Sequence, residues 1–299
     1  MANISEDGNF TSKLNQVLVK SPTGIPAFFS ALNIFLSLTA SLGNALILIA
    51  LHKVSSIYPP TKLFFRCLAV TDLCVGLFMQ PVYATEIMSR IITINMNVLL
   101  TKSLRSGSAW ILCGVSALTS TGIGVDRLLA LLLGLRYRHV VTLRRVRVAI
   151  ICFWLIGASC GAIWFMWSED ISMKVISILL SLDLLIVIFC YTRIHFKLRY
   201  YKTQVQDHAV LQGQGNGRKI PLNIARYRKS VSSIWCVQLA LVACYAPWGI
   251  VVVLYLNEIE NDVAWLATET LVYLNSSLNP ILYCWKIREV RQAVKGIIR

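Results

Sequence analysis

Three sets of polar residues in this 299-residue chain are placed where they could do chemistry. The stretch TGIGVDRLLALLLGLRYRHVV (121–141) sets an acid beside a base, Asp126 and Arg127, at the end of a long apolar run. A carboxylate touching a guanidinium forms a charge-assisted hydrogen bond, which is strong where water is scarce. Asp72, in LAVTDL, lies deep in another apolar run. Ser116, Asn275, Ser276, Asn279 and Asn44 reach the same level if the chain packs compactly. A carboxylate among hydroxyl and amide oxygens suits a hard monovalent cation such as sodium, because oxygen dipoles replace the ion's water. A structural hydrogen-bond network without an ion is the other reading of those residues. Glu86, Arg105 and Glu269 form the third set. Glu269 precedes Asn279 by ten residues, about 15 Å at helical rise. Glu86 follows Asp72 by 14 residues and Arg105 precedes Asp126 by 21, so all three fall far from Asp126. The acids there suit a cation and the arginine an anion; equally, Arg105 or Lys102 neutralises the acids.

Other chemistries find no residues. The four histidines (His52, His139, His195, His208) lack metal-ligand spacing. Neither a Ser-His-Asp set nor a phosphate-cradling glycine loop occurs, so an enzyme is not expected.

The elements that must position these residues are long and oily. The chain is 56% hydrophobic and 14% charged, with mean hydropathy +0.64, too apolar for a soluble domain of this length. Residues 27–51, 106–125, 148–167 and 230–257 carry no charge, and each approximates the 20 or so residues that a helix needs to cross a bilayer. Residues 63–88, 175–192 and 263–285 are apolar with one to three charges each. The expected fold is an all-α membrane protein, a bundle of seven transmembrane helices embedded in lipid. A net charge of +15 raises nucleic acid as a partner, but the placement of charge argues against it. Only Lys13, Lys20, Arg90, Lys102, Arg105 and Lys174 of the 29 Lys and Arg residues lie on the N-terminal side of such a bundle. By the positive-inside rule that side faces out and the C-terminus is cytoplasmic. The triplets at Asn3 and Asn9 are N-glycosylation acceptors, meaningful only in an extracellular tail; a third, at Asn275, falls inside a span and shows how often such triplets arise by chance. The chain then divides into an N-terminal tail (1–26), a seven-helix domain (27–285) and a short amphipathic cytoplasmic helix (286–299). The Gly/Gln-rich VLQGQGNGRKIPLN reads as a linker. All nine cysteines fall within spans, where small buried hydrophobes are expected. A small transporter or channel is the rival class; an odd number of spans and the lack of an inverted repeat speak against it.

"GN" in the first span, "LAVTDL" in the second, "DRL" ending the third, Trp154 in the fourth, Pro247 in the sixth and "NPILY" (279–283) in the seventh resemble, in order and position, the rhodopsin-family G-protein-coupled receptors. "LRYRHVVTLRRVRVAI", the short "SEDISMK" loop, Asp183 where a proline is usual and Lys102 where a cysteine is usual look like the melanocortin, lysophospholipid, cannabinoid and adenosine receptor group.

The resemblance implies an extracellular ligand, a heterotrimeric G protein as partner, the plasma membrane as location and no cofactor beyond an allosteric sodium ion at Asp72, Ser116, Asn275 and Asn279. It implies an activation switch of Asp126, Arg127, Tyr191, Tyr245, Pro247, Asn279, Pro280 and Tyr283, in which the sixth helix swings outward and Arg127 turns toward Tyr191 and Tyr283. Leu135, with Tyr137 beside it, matches the G-protein contact. The implied ligand pocket draws on Tyr83, Glu86, Arg105, Ala109, Trp110 and Cys113, and on Trp248, Val252, Trp265, Glu269 and Tyr273. A cationic amine or peptide would use Glu269, Glu86 and Tyr273; an anionic lipid would use Arg105. The chain departs from the family at Leu128, Leu241 and Tyr245. Arg226, Tyr227 and Arg228 supply no acid at the base of the sixth helix to hold Arg127, so basal signalling is expected.

Overall fold

Helix α1 spans Gly24–Lys53, an unbroken apolar segment that ends in Lys53, a cation that complements a helix C-terminus. The computed structural model describes residues 24–89, 98–211, 222–259, 261–286 and 288–298. Asn3, Asn9 and most of the Gly/Gln-rich linker lie outside the described residues. Helix α2, Pro59–Ser89, starts on two prolines, whose missing N–H groups would be unsatisfied in a first turn anyway. Its middle, Val75–Met79, is π-helical, a local widening that shifts the register of Tyr83 and Glu86 relative to Asp72 and that no sequence pattern announced.

Helix α3 runs over Val98–Leu133. It stops where Gly134 takes φ +52°, a left-handed conformation that glycine enters at little cost and that ends helices. A 3-10 turn (Gly134–Arg136) and a one-turn helix (Tyr137–Val140) fold back from there. Helix α4, Leu143–Met166, is capped by Thr142, whose hydroxyl accepts from the Arg145 amide. Then follow α5 (Glu169–Leu211), α6 (Leu222–Tyr255), α7 (Asp262–Lys286) and the short α8 (Arg288–Ile298).

Six of these helices are long and apolar enough to span a membrane. Helix α7 is the seventh: its 25 residues extend about 37 Å, but Thr268, Thr270, Asn275, Ser276, Ser277 and Asn279 lower its apolarity. All six are buried inside the bundle, which is why lipid tolerates them. Helices α1, α2, α4, α5, α6 and α7 form the ring, α7 closing on α1, while α3 touches α2, α4, α5, α6 and α7 and threads the middle. The exposed faces of α4 and α5 carry Ile151, Leu155, Ile178, Leu182, Leu185 and Phe189. Apolar outside and polar inside is the arrangement of a protein dissolved in hydrocarbon. One expectation fails here. Cys113, Cys160, Cys190 and Cys244 are buried, but Cys152 is exposed on the outer face of α4, where an apolar solvent removes the need to bury it.

The seam between α3 and α4 depends on glycine. A Cβ on Gly157 would stand 2.8 Å from a Val115 methyl and 3.0 Å from the Ile111 carbonyl oxygen. Small residues let helix backbones approach where no hydrophobic drive exists between them. Gly157→Val is therefore expected to lower stability by about 1–3 kcal/mol, the usual cost of overpacking, read as a lower midpoint of thermal unfolding in detergent micelles.

Candidate functional site

The polar residues gather at three levels of the bundle, and α3 contributes to each. At the centre Asp72 is fully buried. Its Oδ1 accepts from the Ser116 hydroxyl at 2.7 Å and the Ser276 hydroxyl at 2.9 Å, and its Oδ2 accepts from the Asn279 amide at 2.7 Å. Three helices thus converge on one carboxylate. Asn44 donates to the backbone carbonyls of Ala40 (2.9 Å) and Ser276 (3.0 Å), which ties α1 to the same turn of α7. Asn275, expected on Asp72, is not among its hydrogen-bond donors; Ser276 takes that place. Adjacent residues on a helix point about 100° apart, so only one can face α2. The amide atoms of Asn275 and the Oδ1 of Asn279 are buried without a hydrogen bond.

At the end of α3, Asp126 is also buried. It accepts from Thr61 Oγ1 at 2.9 Å and from the Tyr137 hydroxyl at 2.6 Å, and Arg127 Nη2 lies 3.4 Å from it. Thr61 enters from the first turns of α2; Tyr137 arrives because the reversal at Gly134 brings the following turn back over α3. Tyr58 fixes that turn, with its hydroxyl on the Val141 carbonyl (2.8 Å) and its ring 5.5 Å from that of Tyr137. Leu135 and Tyr137 were expected to act together on an external partner. They separate: Leu135 is 98% exposed, whereas Tyr137 turns inward because the buried carboxylate requires donors. Arg127 retains 20% of its side-chain exposure. Tyr283 packs edge-on against Phe65, ring centres 5.0 Å apart, with its hydroxyl buried and making no hydrogen bond. Tyr191 is half-buried on α5. The side chains of Arg226, Tyr227 and Arg228 lie outside the described ones.

On the side of the Asp72 level away from Asp126, Tyr245 is buried on α6 and donates to the Cys113 carbonyl of α3 at 3.1 Å. Two residues on, Pro247 lies inside the continuous helix, and a proline in a helix interior removes one backbone bond and favours a bend. Pro280 does the same in α7 and packs where Gly43 of α1 has no side chain.

At the opposite end from Asp126 a cavity of about 150 Å³ opens between α2, α3, α4, α5, α6 and α7. Arg105 lies in its wall, almost fully buried. Its Nε donates to Glu86 Oε2 at 2.5 Å, its Nη1 donates to the Tyr273 hydroxyl at 3.2 Å, and its guanidinium sits 4.8 Å from the centre of the Tyr83 ring. Glu269 is 3.7 Å away and keeps 27% of its side chain exposed. Internal neutralisation is the reading that the geometry satisfies for Glu86 and Arg105, while Glu269 stands at the edge of that pair, partly exposed. Tyr83, Ala109, Trp110, Cys113, Trp248 and Trp265 line the cavity, as do Tyr273 and Glu269. Glu86 and Val252 do not: Glu86 is covered by Arg105, and Val252 is buried in the core beside Trp248. Sequence reading missed Trp164, Glu169, Met173, Tyr255 and Asp262 in the wall. They stand at helix ends, where aromatics and acids ordinarily meet headgroups and water, so their types give no signal.

A family profile described as "7 transmembrane receptor (rhodopsin family)" matches residues 43–283. Melanocortin receptor 5 of Mus musculus is 24% identical over 319 residues, covering 99% of this chain and 91% of that protein. Melanocortin receptor 4 of Danio rerio is 25% identical, covering 88% of this chain and 81% of that protein. Adenosine receptor A3 of Ovis aries is 24% identical, covering 91% and 89%.

Proposed function

The chain belongs to the rhodopsin family of seven-transmembrane receptors, and from that premise we propose that it is a plasma-membrane receptor whose cavity faces outward and whose Asp126 end faces the cytoplasm. It senses an extracellular ligand and activates a heterotrimeric G protein. The observation that carries this reading is that one helix, α3, holds both a cavity-wall guanidinium (Arg105) and a rim guanidinium (Arg127) in separate ion pairs. The Tyr245 hydroxyl ties α3 to the proline-containing α6 between them. A ligand that favours an outward α6 would release that contact, and Arg127 would exchange Asp126 for the buried tyrosines. Leu135 then offers an apolar knob to the partner. Protein reconstituted in lipid nanodiscs should accelerate guanine-nucleotide exchange on an added heterotrimer, to some degree even without ligand; the absence of any acceleration sinks the reading.

Leu135 gives a clean separation of folding from coupling. It touches almost nothing in the bundle, so Leu135→Asp should leave the unfolding midpoint unchanged within about 0.5 kcal/mol, as for other exposed sites. Exchange should slow by roughly tenfold or more, the loss that accompanies removal of an interface anchor.

Asp72, Ser116, Ser276 and Asn279 are the residues that would hold sodium. The fit rests on a buried carboxylate with no ion-pair partner among the described residues and on the unbonded Asn279 Oδ1. The ion would supply the missing positive charge and stabilise the packing of α2 against α3 and α7. Sodium at 100 times its Kd should stabilise the protein by about 2.7 kcal/mol. Replacing it with N-methylglucamine should lower the unfolding midpoint of the wild type and leave that of Asp72→Asn unmoved.

A further inference from the structure

We propose that the outer cavity, taken as the ligand site of the receptor reading above, receives a small organic monocation: an ammonium or guanidinium on a compact apolar body, seated on Glu269 and the surrounding tryptophans. The one arginine at the cavity is already committed. Its Nε is bonded to Glu86 at 2.5 Å, its Nη1 to Tyr273, and its face to the Tyr83 ring, all in a buried setting. An incoming phosphate or carboxylate would have to draw the guanidinium away from Glu86, an acid that is itself buried. Glu269 is placed differently. Arg105 meets it only at 3.7 Å, beyond hydrogen-bond length, and part of its carboxylate faces the cavity. Asp262 adds an acid to the wall, against Arg105 alone among the described lining bases. The field inside therefore attracts cations and repels anions.

The remaining walls fit the same occupant. Trp110 and Trp248 have ring centres 4.6 Å apart, and Trp265 lies 6.5 Å from Trp248. Trp164 stands 6.3 Å from Trp110. Tryptophan faces are the best aromatic surface for a desolvated cation. A cavity of about 150 Å³ holds a body the size of one aromatic ring, which suits a free amine or a single basic side chain of a peptide.

Tryptophan emission of nanodisc-embedded protein reads occupancy without any G protein. Three probes separate the chemistries: benzylammonium, N-acetyl-argininamide and oleoyl phosphate. Both cations should shift the emission saturably, with Glu269→Gln weakening them roughly 10- to 100-fold, the loss of one charge-assisted bond, and Glu269→Asp recovering part of the affinity. Tighter binding of N-acetyl-argininamide than of benzylammonium points to a peptide source, and the reverse order to a free amine. Either order supports the assignment. Failure of both cations at millimolar concentration, equal binding by Glu269→Gln and wild type, or Arg105-dependent binding of oleoyl phosphate overturns it. Basal nucleotide exchange measured on the same samples keeps the two claims apart. Exchange with no cation binding sinks the ligand assignment alone; cation binding with no exchange sinks the receptor reading alone.

Discussion

Arg105→Ala should be among the most destabilising single substitutions in this protein, costing about 3–5 kcal/mol, the range for stripping one partner from a buried ion pair. Glu86 is 2% exposed and would lose its guanidinium partner inside the bundle. Glu269 and Tyr273 would each lose a contact as well. Arg105→Lys should fall short of rescue, because an ammonium cannot reach Glu86 and Tyr273 with the fixed fork that a guanidinium provides. Removing both charges is the informative control. Arg105→Met combined with Glu86→Leu replaces the pair by apolar groups of similar volume, and such exchanges are frequently neutral. The double variant should therefore unfold well above Arg105→Ala, close to the wild type, in a thermal scan in detergent. If Arg105→Ala unfolds with the wild type, the ion pair is not the structural element described here.

That pair also marks the limit of what the sequence discloses. The seven spans, and an acid and base at the end of the third, follow from runs of apolar residues broken by charges, because hydrocarbon thickness fixes helix length. Asp72 was legible for the same reason: an acid in oil is expensive and must have partners. Its three donors, Ser116, Ser276 and Asn279, were among the residues placed at its level, but which of the neighbours Asn275 and Ser276 faces it was not legible. Choosing Ser276 over Asn275 depends on the rotation of α7, and that is set by packing against α1 and α2. The π-helical turn at Val75–Met79 also escaped notice, yet it rotates Glu86 toward Arg105. The three readings of Glu86, Arg105 and Glu269 could not be separated by counting residues, which gives height along a helix and says nothing of direction. Tyr137 shows the same gap. Its neighbour Leu135 points out and it points in, a difference produced by the φ of Gly134.

Arg127→Ala should uncouple the protein while leaving it folded. Asp126 keeps hydrogen bonds from Thr61 and Tyr137 when the guanidinium is gone. The Arg127 contact is long, at 3.4 Å, and its side chain is partly exposed, so with those two donors kept its loss should cost less than the roughly 3–5 kcal/mol of a stripped buried pair. Its role in the alternative state is different in kind. There the guanidinium would meet the buried hydroxyls at the rim, Tyr283 among them, whose oxygen has no hydrogen bond in the present packing. An arginine that anchors such an interface is commonly worth 2 kcal/mol or more, about a 30-fold change in the populated state. The direct measurement is the rate of guanine-nucleotide exchange on a purified heterotrimer, with wild-type and Arg127→Ala protein in nanodiscs at equal folded concentration. The account requires wild-type protein to accelerate exchange and Arg127→Ala to lose at least tenfold of that acceleration with its unfolding midpoint preserved. Equal rates from the two proteins would contradict it.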